Sequence, residues 1–408
     1  MPIALELTEM NENNNIIPQG WTTKSLAQVG TFFKGKGITK AEIVETGKPC
    51  IRYGQIYSEY NYFVEEFKSF INETSAKNSE RIFKNDLLFA GSGETLADIG
   101  KCVAYIKDDE AYAGGDIIIL RTTSEDAHYL GYLFNSDEFK KQTYKLGQGH
   151  SVVHIYSSSL KNIKVALPPL PEQQKIAKIL ATWDKAIKLQ QQLIDNKKQY
   201  KKAVMKKLLS GEVRFKGFND IWRLKSLDEL AIFKNGKGHE TVVVENGKFV
   251  IINSKFISTE GKVTKYTNHN LSPLGKQEIT LVMSDIPNGK ALAKCFFIEQ
   301  DDKFSLNQRI CSLKSKIGTD SRFLFYLLNR NQYFLGFNNG VSQTNLRKDE
   351  VLECPLMIPK IDEQQKIAAF LSKIDKEIKA LENELISFQK QKQGLMQQLL
   401  TGKIRVKN

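Results

Sequence analysis

Cysteine is scarce in this chain: five residues in 408, at positions 50, 102, 295, 311 and 354, with no C-x-x-C pair among them. That scatter argues against a disulfide framework and against a zinc site of the usual spacing. It fits a reduced compartment. Long apolar runs are missing too. Ile117-Ile118-Ile119-Leu120 is strand-sized, well short of the ~20 residues that a membrane-spanning helix needs. The opening MPIALELTEMNENNN has no basic stretch followed by an apolar one, so no secretory signal is read, and a cytoplasmic location is expected.

What is present is ordinary globular composition, 41% hydrophobic and 26% charged, in a chain long enough for two or three domains with real cores. The net charge of +13 points to a polyanionic partner, nucleic acid before membrane. The chain is also written twice. Trp21 to Gly37 matches Trp222 to Gly238 at a shift of 201, with 8 of 17 positions identical. Residues 171–216 match 362–407 at a shift of 191, with 18 of 46 identical. Each half therefore has a matched opening, a divergent body and a long matched tail. Ends that agree around bodies that differ suggest one scaffold with two recognition jobs.

The tails carry helical periodicity. In the second, Ile367, Leu371, Ile374, Ile378, Leu381, Leu385 and Phe388 step by four and three, with a polar interruption at Lys392. In the first, Ile176, Leu180, Trp183 and Ile187 keep the same register, followed by Ile194, Val204 and Leu208. This is a coiled-coil seam. Pro171 suits a first turn, Asp362 an N-cap, and Gly211 and Gly402 the C-terminal caps. Two helices of about 40 residues are predicted, packed antiparallel within the chain; a zipper between two chains is the alternative. Residues 171–216 carry 12 Lys/Arg against 4 Asp/Glu, and residues 362–408 carry 9 against 6. The stretch Lys197–Lys207 is either a solvated face or an attraction to DNA phosphates or to an acidic protein.

The bodies show strand-like runs at 86–90, 116–120, 249–253 and 280–283, and short helical pieces at 127–134 and 322–328. That predicts an α+β domain in each half. The expected boundaries are 1–17 for an extension, 18–168 for the first body, 169–212 for a central helical region, 213–358 for the second body and 359–408 for a terminal helical region. Polar loops interleaved with aromatics are the candidate reading surfaces, because Arg, Lys, Asn and Gln can bond base edges. In the first body these are Lys34 and Lys36; Arg52, Tyr53, Gln55 and Tyr57; Ser92; and His150, Ser151 and His154. In the second they are Lys237 and His239; Asn253 and Lys255; Asn288 and Lys290; Arg309; and Ser342, Gln343, Thr344 and Asn345 with Arg347.

Catalytic signatures are absent. The chain has no G-x-x-x-x-G-K-[ST], no H-E-x-x-H and no G-x-S-x-G. Phe33-Lys34-Gly35-Lys36-Gly37 satisfies the F-x-G-x-G of S-adenosylmethionine-dependent methyltransferases. A self-contained adenine methyltransferase would also need an N-P-P-Y/F loop to grip a flipped base. The Pro-Pro here, Leu167-Pro168-Pro169-Leu170, lacks both the polar and the aromatic neighbour. His150 and His154 have no acidic or cysteine support, so no metal is expected.

The layout resembles the specificity (S) subunits of type I restriction–modification systems. The resemblance rests on Leu167-Pro168-Pro169-Leu170-Pro171-Glu172-Gln173-Gln174-Lys175-Ile176-Ala177 and its echo from Ile358 to Ala368. It rests also on Leu208-Leu209-Ser210-Gly211, Leu399-Leu400-Thr401-Gly402, Gly20-Trp21 and Ile221-Trp222. It covers about residue 18 to the end. It implies two target-recognition domains, each reading half of a split DNA sequence, and two antiparallel spacer helices. It implies no catalysis and no cofactor on this chain. Two methyltransferase (M) subunits would dock at the helical regions with S-adenosylmethionine, and restriction (R) subunits would bring ATP and Mg2+ chemistry. An adaptor that does not touch DNA is the remaining alternative.

Overall fold

The computed structural model describes residues 17–95, 99–122, 124–147, 153–286, 290–338 and 340–406, together with the strand Leu5–Leu7. The chain divides into two compact units, residues 1–191 with 383–408, and residues 192–382. These are not the two sequence copies. Each unit takes one divergent body, the start of the long helix that follows it, and the end of the other copy's long helix. The boundaries expected at 168/169 and 358/359 are therefore not packing boundaries, because the helices share cores with the bodies.

In the first unit, a four-stranded antiparallel sheet runs in the order Cys102–Ala104, Asp86–Ala90, Ile117–Thr122, Gly30–Lys34. Its central strands are apolar at consecutive positions because both faces are covered. Leu87, Phe89, Ile118 and Leu120 enter one core; Leu88, Ala90, Ile117 and Ile119 enter another. A second, mixed sheet runs in the order Ile43–Val44, Ser69–Ile71, Lys48–Ile51, Ala111–Ala113, Glu80–Ile82, with one parallel pair. Strand Lys164–Leu167 pairs with Thr22–Ser25 and closes the body just before its long helix.

The second unit repeats this topology on different residues, with four strands rather than five in its mixed sheet among the described residues. Its antiparallel sheet runs Ala231–Asn235, Ile310–Ser315, Ile279–Val282, Cys295–Phe297. Its other sheet runs Val243–Val244, Tyr266–Thr267, Phe249–Ile252, Phe304–Leu306, again with one parallel pair. Arg223–Ser226 pairs with Pro355–Ile358 as the closing ribbon. The α+β class is as expected, and the four strand runs and two helical pieces lie within a residue or two of their predicted limits.

The long helices span Leu170–Leu209 and Ile361–Leu400, 40 residues each. Gly211 and Gly402 follow them at φ +73 and +71, the left-handed backbone that ends a helix at low steric cost. Pro171 lies in the first turn, as expected. Asp362 is already inside its helix and is not the N-cap. In the first unit Ile176 and Leu180 are fully buried with Leu399 and Leu400, and Trp183 meets Phe388 edge-on at 5.9 Å. Ile187 and Leu385 are half-buried there. In the second unit Ile367 and Leu371 pack with Leu208 in the core. Ile374 and Ile378 are buried, and Leu381 is half-buried. Polar pairs run in descending register within each unit: Asp184 with Lys392 and Gln190 with Glu384 in the first, Lys201 with Asp375 and Lys197 with Glu377 in the second. That is antiparallel packing inside the chain, the arrangement expected over an intermolecular zipper.

Candidate nucleic-acid interface

Five polar positions identical in both tails, Glu172, Gln173, Asp184, Lys201 and Arg214 with their equivalents, are structural fasteners. In the first unit, Lys392 of the second helix is 6% exposed and pairs with Asp184 of the first helix at 2.5 Å. Tyr132 donates to the other oxygen of Asp184 at 2.6 Å, and the Lys392 ammonium lies 4.1 Å from the Tyr62 ring centre. In the second unit the same set recurs with the copies exchanged. Lys201 pairs with Asp375 at 2.5 Å, and Tyr326 donates to Asp375 at 2.6 Å. Lys392, the polar interruption in the seam, is thus a buried lock. Desolvation lowers its pKa below the ordinary lysine value, with the Asp184 bond opposing. Burial pushes the Tyr62 hydroxyl up to about 12.

A second fastener uses the repeated Glu-Gln motif. Glu172 is gripped by Nε and Nη2 of Arg405 at 2.7 and 2.8 Å, and Glu363 by Nε and Nη2 of Arg214 at 2.8 and 2.7 Å. Gln173 accepts from the Asp126 amide at 2.9 Å and donates to the Pro168 carbonyl at 2.9 Å. Gln364 does the same with Asp320 at 2.8 Å and Pro359 at 2.9 Å. These four motif side chains are buried and are not available as a docking surface; Gln174, Gln365 and Lys366 remain exposed. The basic stretch is also engaged. Lys197, Lys198 and Lys201 pair with Glu377, Glu382 and Asp375 at 2.6, 2.7 and 2.5 Å. Its excess charge neutralises the acidic side of the other helix, so the attraction expected toward DNA phosphates is withdrawn for these three lysines.

The reading candidates fall into three groups. The first comprises loops that the fold joins. Ser92 and His154 lie opposite each other in a two-residue ladder, Ser92–Gly93 with Val153–His154, and share a 2.9 Å hydrogen bond. The second unit builds the same ladder from Ser284–Asp285 and Thr344–Asn345. There Ser284 donates to Asn345 at 2.6 Å and receives a bond from Gln343 at 2.7 Å. Ser92 and Thr344 are buried, while Gln343 and Asn345 are exposed. The ladder brings distant sequence segments together, 92 with 154 and 284 with 345.

The second group surrounds an open cleft of about 900 Å3 in the first unit, lined among others by Arg52, Tyr53, Tyr57, Lys40 and Asp116. Lys34 and Lys36 are exposed on and beyond the strand Gly30–Lys34. In the second unit Lys237, Lys255, Lys290 and Arg309 are exposed. Ser342 is exposed beside its ladder, and Arg347 pairs locally with Glu350 at 3.1 Å.

The third group is drawn inward, and for it the expected surface role is corrected. Gln55 is 6% exposed; it accepts from the Arg52 amide at 2.9 Å and donates to Ser69 at 2.8 Å. His239 is 1% exposed, with one ring nitrogen 2.7 Å from Ser305 Oγ and the other 2.7 Å from the Lys237 carbonyl. Asn253 caps the helix Ser254–Ser258 through a 2.9 Å bond from the Phe256 amide. His150, Ser151 and Asn288 lie outside the described residues.

The F-x-G-x-G match has a backbone explanation. A Cβ at Gly35 would sit 2.0 Å from the Gly114 carbonyl oxygen, and one at Gly236 would sit 1.9 Å from that of Asn307. Glycine is required there because two backbones touch. Among the described residues no group of three or more His, Cys, Asp or Glu is placed to hold a metal. Among them, too, no helix is long and apolar enough to cross a membrane.

One fold built twice, fastened at identical positions and carrying different loops at equivalent places, defines a duplicated recognition protein. The sequence model for the type I restriction modification DNA specificity domain matches residues 18–197 and again 219–387, and the chain belongs to that family. It is 29% identical to the MjaVIII specificity subunit of Methanocaldococcus jannaschii over 96% of this chain and 95% of the relative. It is 22% identical to the StySPI specificity subunit of Salmonella potsdam over 87% of this chain and 82% of that one. The crystal structure of a type I restriction-modification S subunit from M. genitalium superposes with a TM-score of 0.60 at 18% identity, covering 96% of this chain and 98% of that one.

Proposed function

We propose that this chain is the non-catalytic DNA-recognition subunit of a type I restriction–modification assembly, each unit reading one half of a split target. The observation that carries this is the pair of equivalent ladders, Ser92–Gly93 with Val153–His154 and Ser284–Asp285 with Thr344–Asn345. They present different side chains from the same place on one fold. A scaffold kept constant while its loops change is what two independent sequence readings require.

Adenine methylation and DNA cleavage then belong to partner subunits, methyltransferase subunits with S-adenosylmethionine and restriction subunits with ATP and Mg2+. Two methyltransferase subunits per chain match the duplicated scaffold. With Glu172, Gln173, Glu363 and Gln364 buried, docking would use the exposed faces around them. The test is methylome mapping of the host with and without the gene, paired with gel shift of the chain with and without a methyltransferase subunit. The expected result is a two-part methylated motif that disappears with the gene. An unchanged methylome would refute the proposal. Native mass spectrometry should find two methyltransferase subunits per chain; a stable one-to-one complex at saturation would refute that stoichiometry.

A further inference from the structure

In each unit the chain crosses from one sheet to the other through a three-residue turn. In the first unit the turn is Gly114-Gly115-Asp116, between strands Ala111–Ala113 and Ile117–Thr122. In the second it is Asn307-Gln308-Arg309, between Phe304–Leu306 and Ile310–Ser315. The last residue of each is left-handed without being glycine: Asp116 at φ 61 and Arg309 at φ 67. Aspartate tolerates this region; arginine has no local reason to occupy it. Such strain is kept where a particular side chain is needed.

The turns are held rigidly. The Gly91 amide donates to the Asp116 carbonyl at 2.7 Å, and the Met283 amide to that of Arg309 at 3.0 Å. Each of those donors directly precedes the reading ladder of its unit, at Ser92 and Ser284. Behind each turn, Gly35 and Gly236 allow the opening loop to press against it. Gly115 donates to the Gly37 carbonyl at 2.8 Å, and Gln308 to that of Lys237 at 3.0 Å. In the second unit the buried His239 adds a 3.2 Å contact to Asn307. The backbones are thus equivalent and fixed, while the exposed tips carry opposite charges. Asp116 lines the open cleft of the first unit, and Arg309 is exposed at the equivalent place in the second.

Resting on the DNA-reading function above, we propose that these turns are specificity determinants that set the two units apart. Arg309 donates to the O6 and N7 of a guanine in the half-site read by the second unit. Asp116 accepts from the N4 amino group of a cytosine in the half-site read by the first. These are the pairings that the hydrogen-bonding edges of those bases favour.

The test is selection from randomised duplex DNA by the full chain with its methyltransferase partner, using the wild type, Arg309→Gly, Arg309→Lys and Asp116→Asn. Glycine relieves the left-handed backbone, so Arg309→Gly should melt no earlier than the wild type. It should nonetheless lose roughly ten- to hundredfold guanine preference at one position of one half-site, with the other half unchanged. Arg309→Lys should keep part of the preference. Asp116→Asn, also tolerant of this backbone, should relax a cytosine position in the opposite half. A two-part motif unchanged by Arg309→Gly and Asp116→Asn would overturn the assignment while leaving the DNA-reading function standing. A wild-type chain that selects no motif would overturn both.

Discussion

The two units solve the same fastening problem with unequal burial. In the first, Lys392 is almost wholly enclosed by Asp184, Tyr62 and Tyr132, its side chain 7% exposed; in the second, Lys201 keeps 24% of its side chain in solvent. The carboxylate latches differ as well. Glu363 holds Arg214 and also accepts from the Trp222 indole at 3.2 Å, whereas the indole nitrogen of Trp21 makes no hydrogen bond to a described residue. The first latch instead adds a 2.8 Å bond from Arg405 to the Gln19 carbonyl. The same residue types at the same repeat positions therefore carry different energetic weight, because the groups around them differ.

The sharpest way to break this comparison is at the latches. Arg405→Ala strands a buried glutamate in the first unit and should lower its stability by about 3–5 kcal/mol. Arg214→Ala should do less harm, since Trp222 still donates to Glu363. Urea denaturation followed through Trp21 and Trp222 fluorescence measures both, and equal losses would mean that the indole bond adds nothing. The locks come next. Asp184→Ala leaves Lys392 charged and enclosed, with a similar loss of about 3–5 kcal/mol. Asp375→Ala should cost less, about 1 kcal/mol, because Lys201 can turn toward water. The reverse order would show that enclosure does not decide the difference. The smallest effect is expected from Lys197→Gln with Lys198→Gln. Loss of these partly exposed, solvent-screened pairs should reduce second-unit stability only slightly and leave the salt dependence of DNA binding unchanged. A decrease in slope approaching 0.9 per lysine would show that they reach phosphates after all.

Much of the architecture was legible in the sequence because it rests on periodicity and repetition. The seam from Ile367 to Leu385 and the glycines at 211 and 402 predict two 40-residue helices closely. The all-apolar runs at 87–90 and 117–120 are strands covered on both faces. What could not be read was which polar residues face inward. Gln55 and His239 have the chemistry of base readers, but tertiary partners at Ser69 and Ser305 draw them inside. Lys392 looked like a defect in the seam because its partner Asp184 is 208 residues away. The available signal was identity between the copies at polar positions. Asp184 and Asp375, Lys201 and Lys392, Glu172 and Glu363, and Arg214 and Arg405 all stand at the 191 shift. The exchange of partners between copies also hid the unit boundary at 191/192.

If the repeated residues fasten and the divergent loops read, altering one ladder must affect one half of the target only. Gln343, Thr344 and Asn345 offer the cleanest place to test this, because among the described residues their side-chain hydrogen bonds stay within the ladder and its adjoining loop, to Ser284 and Asn338. The triple alanine variant should be compared with the wild type by methylome mapping in the same host, with its melting temperature recorded alongside. Near-wild-type melting is expected, with relaxed bases in one half of the motif and the other half untouched. Loss of discrimination in both halves at unchanged stability, or an unaltered motif, would contradict the division between fasteners and readers.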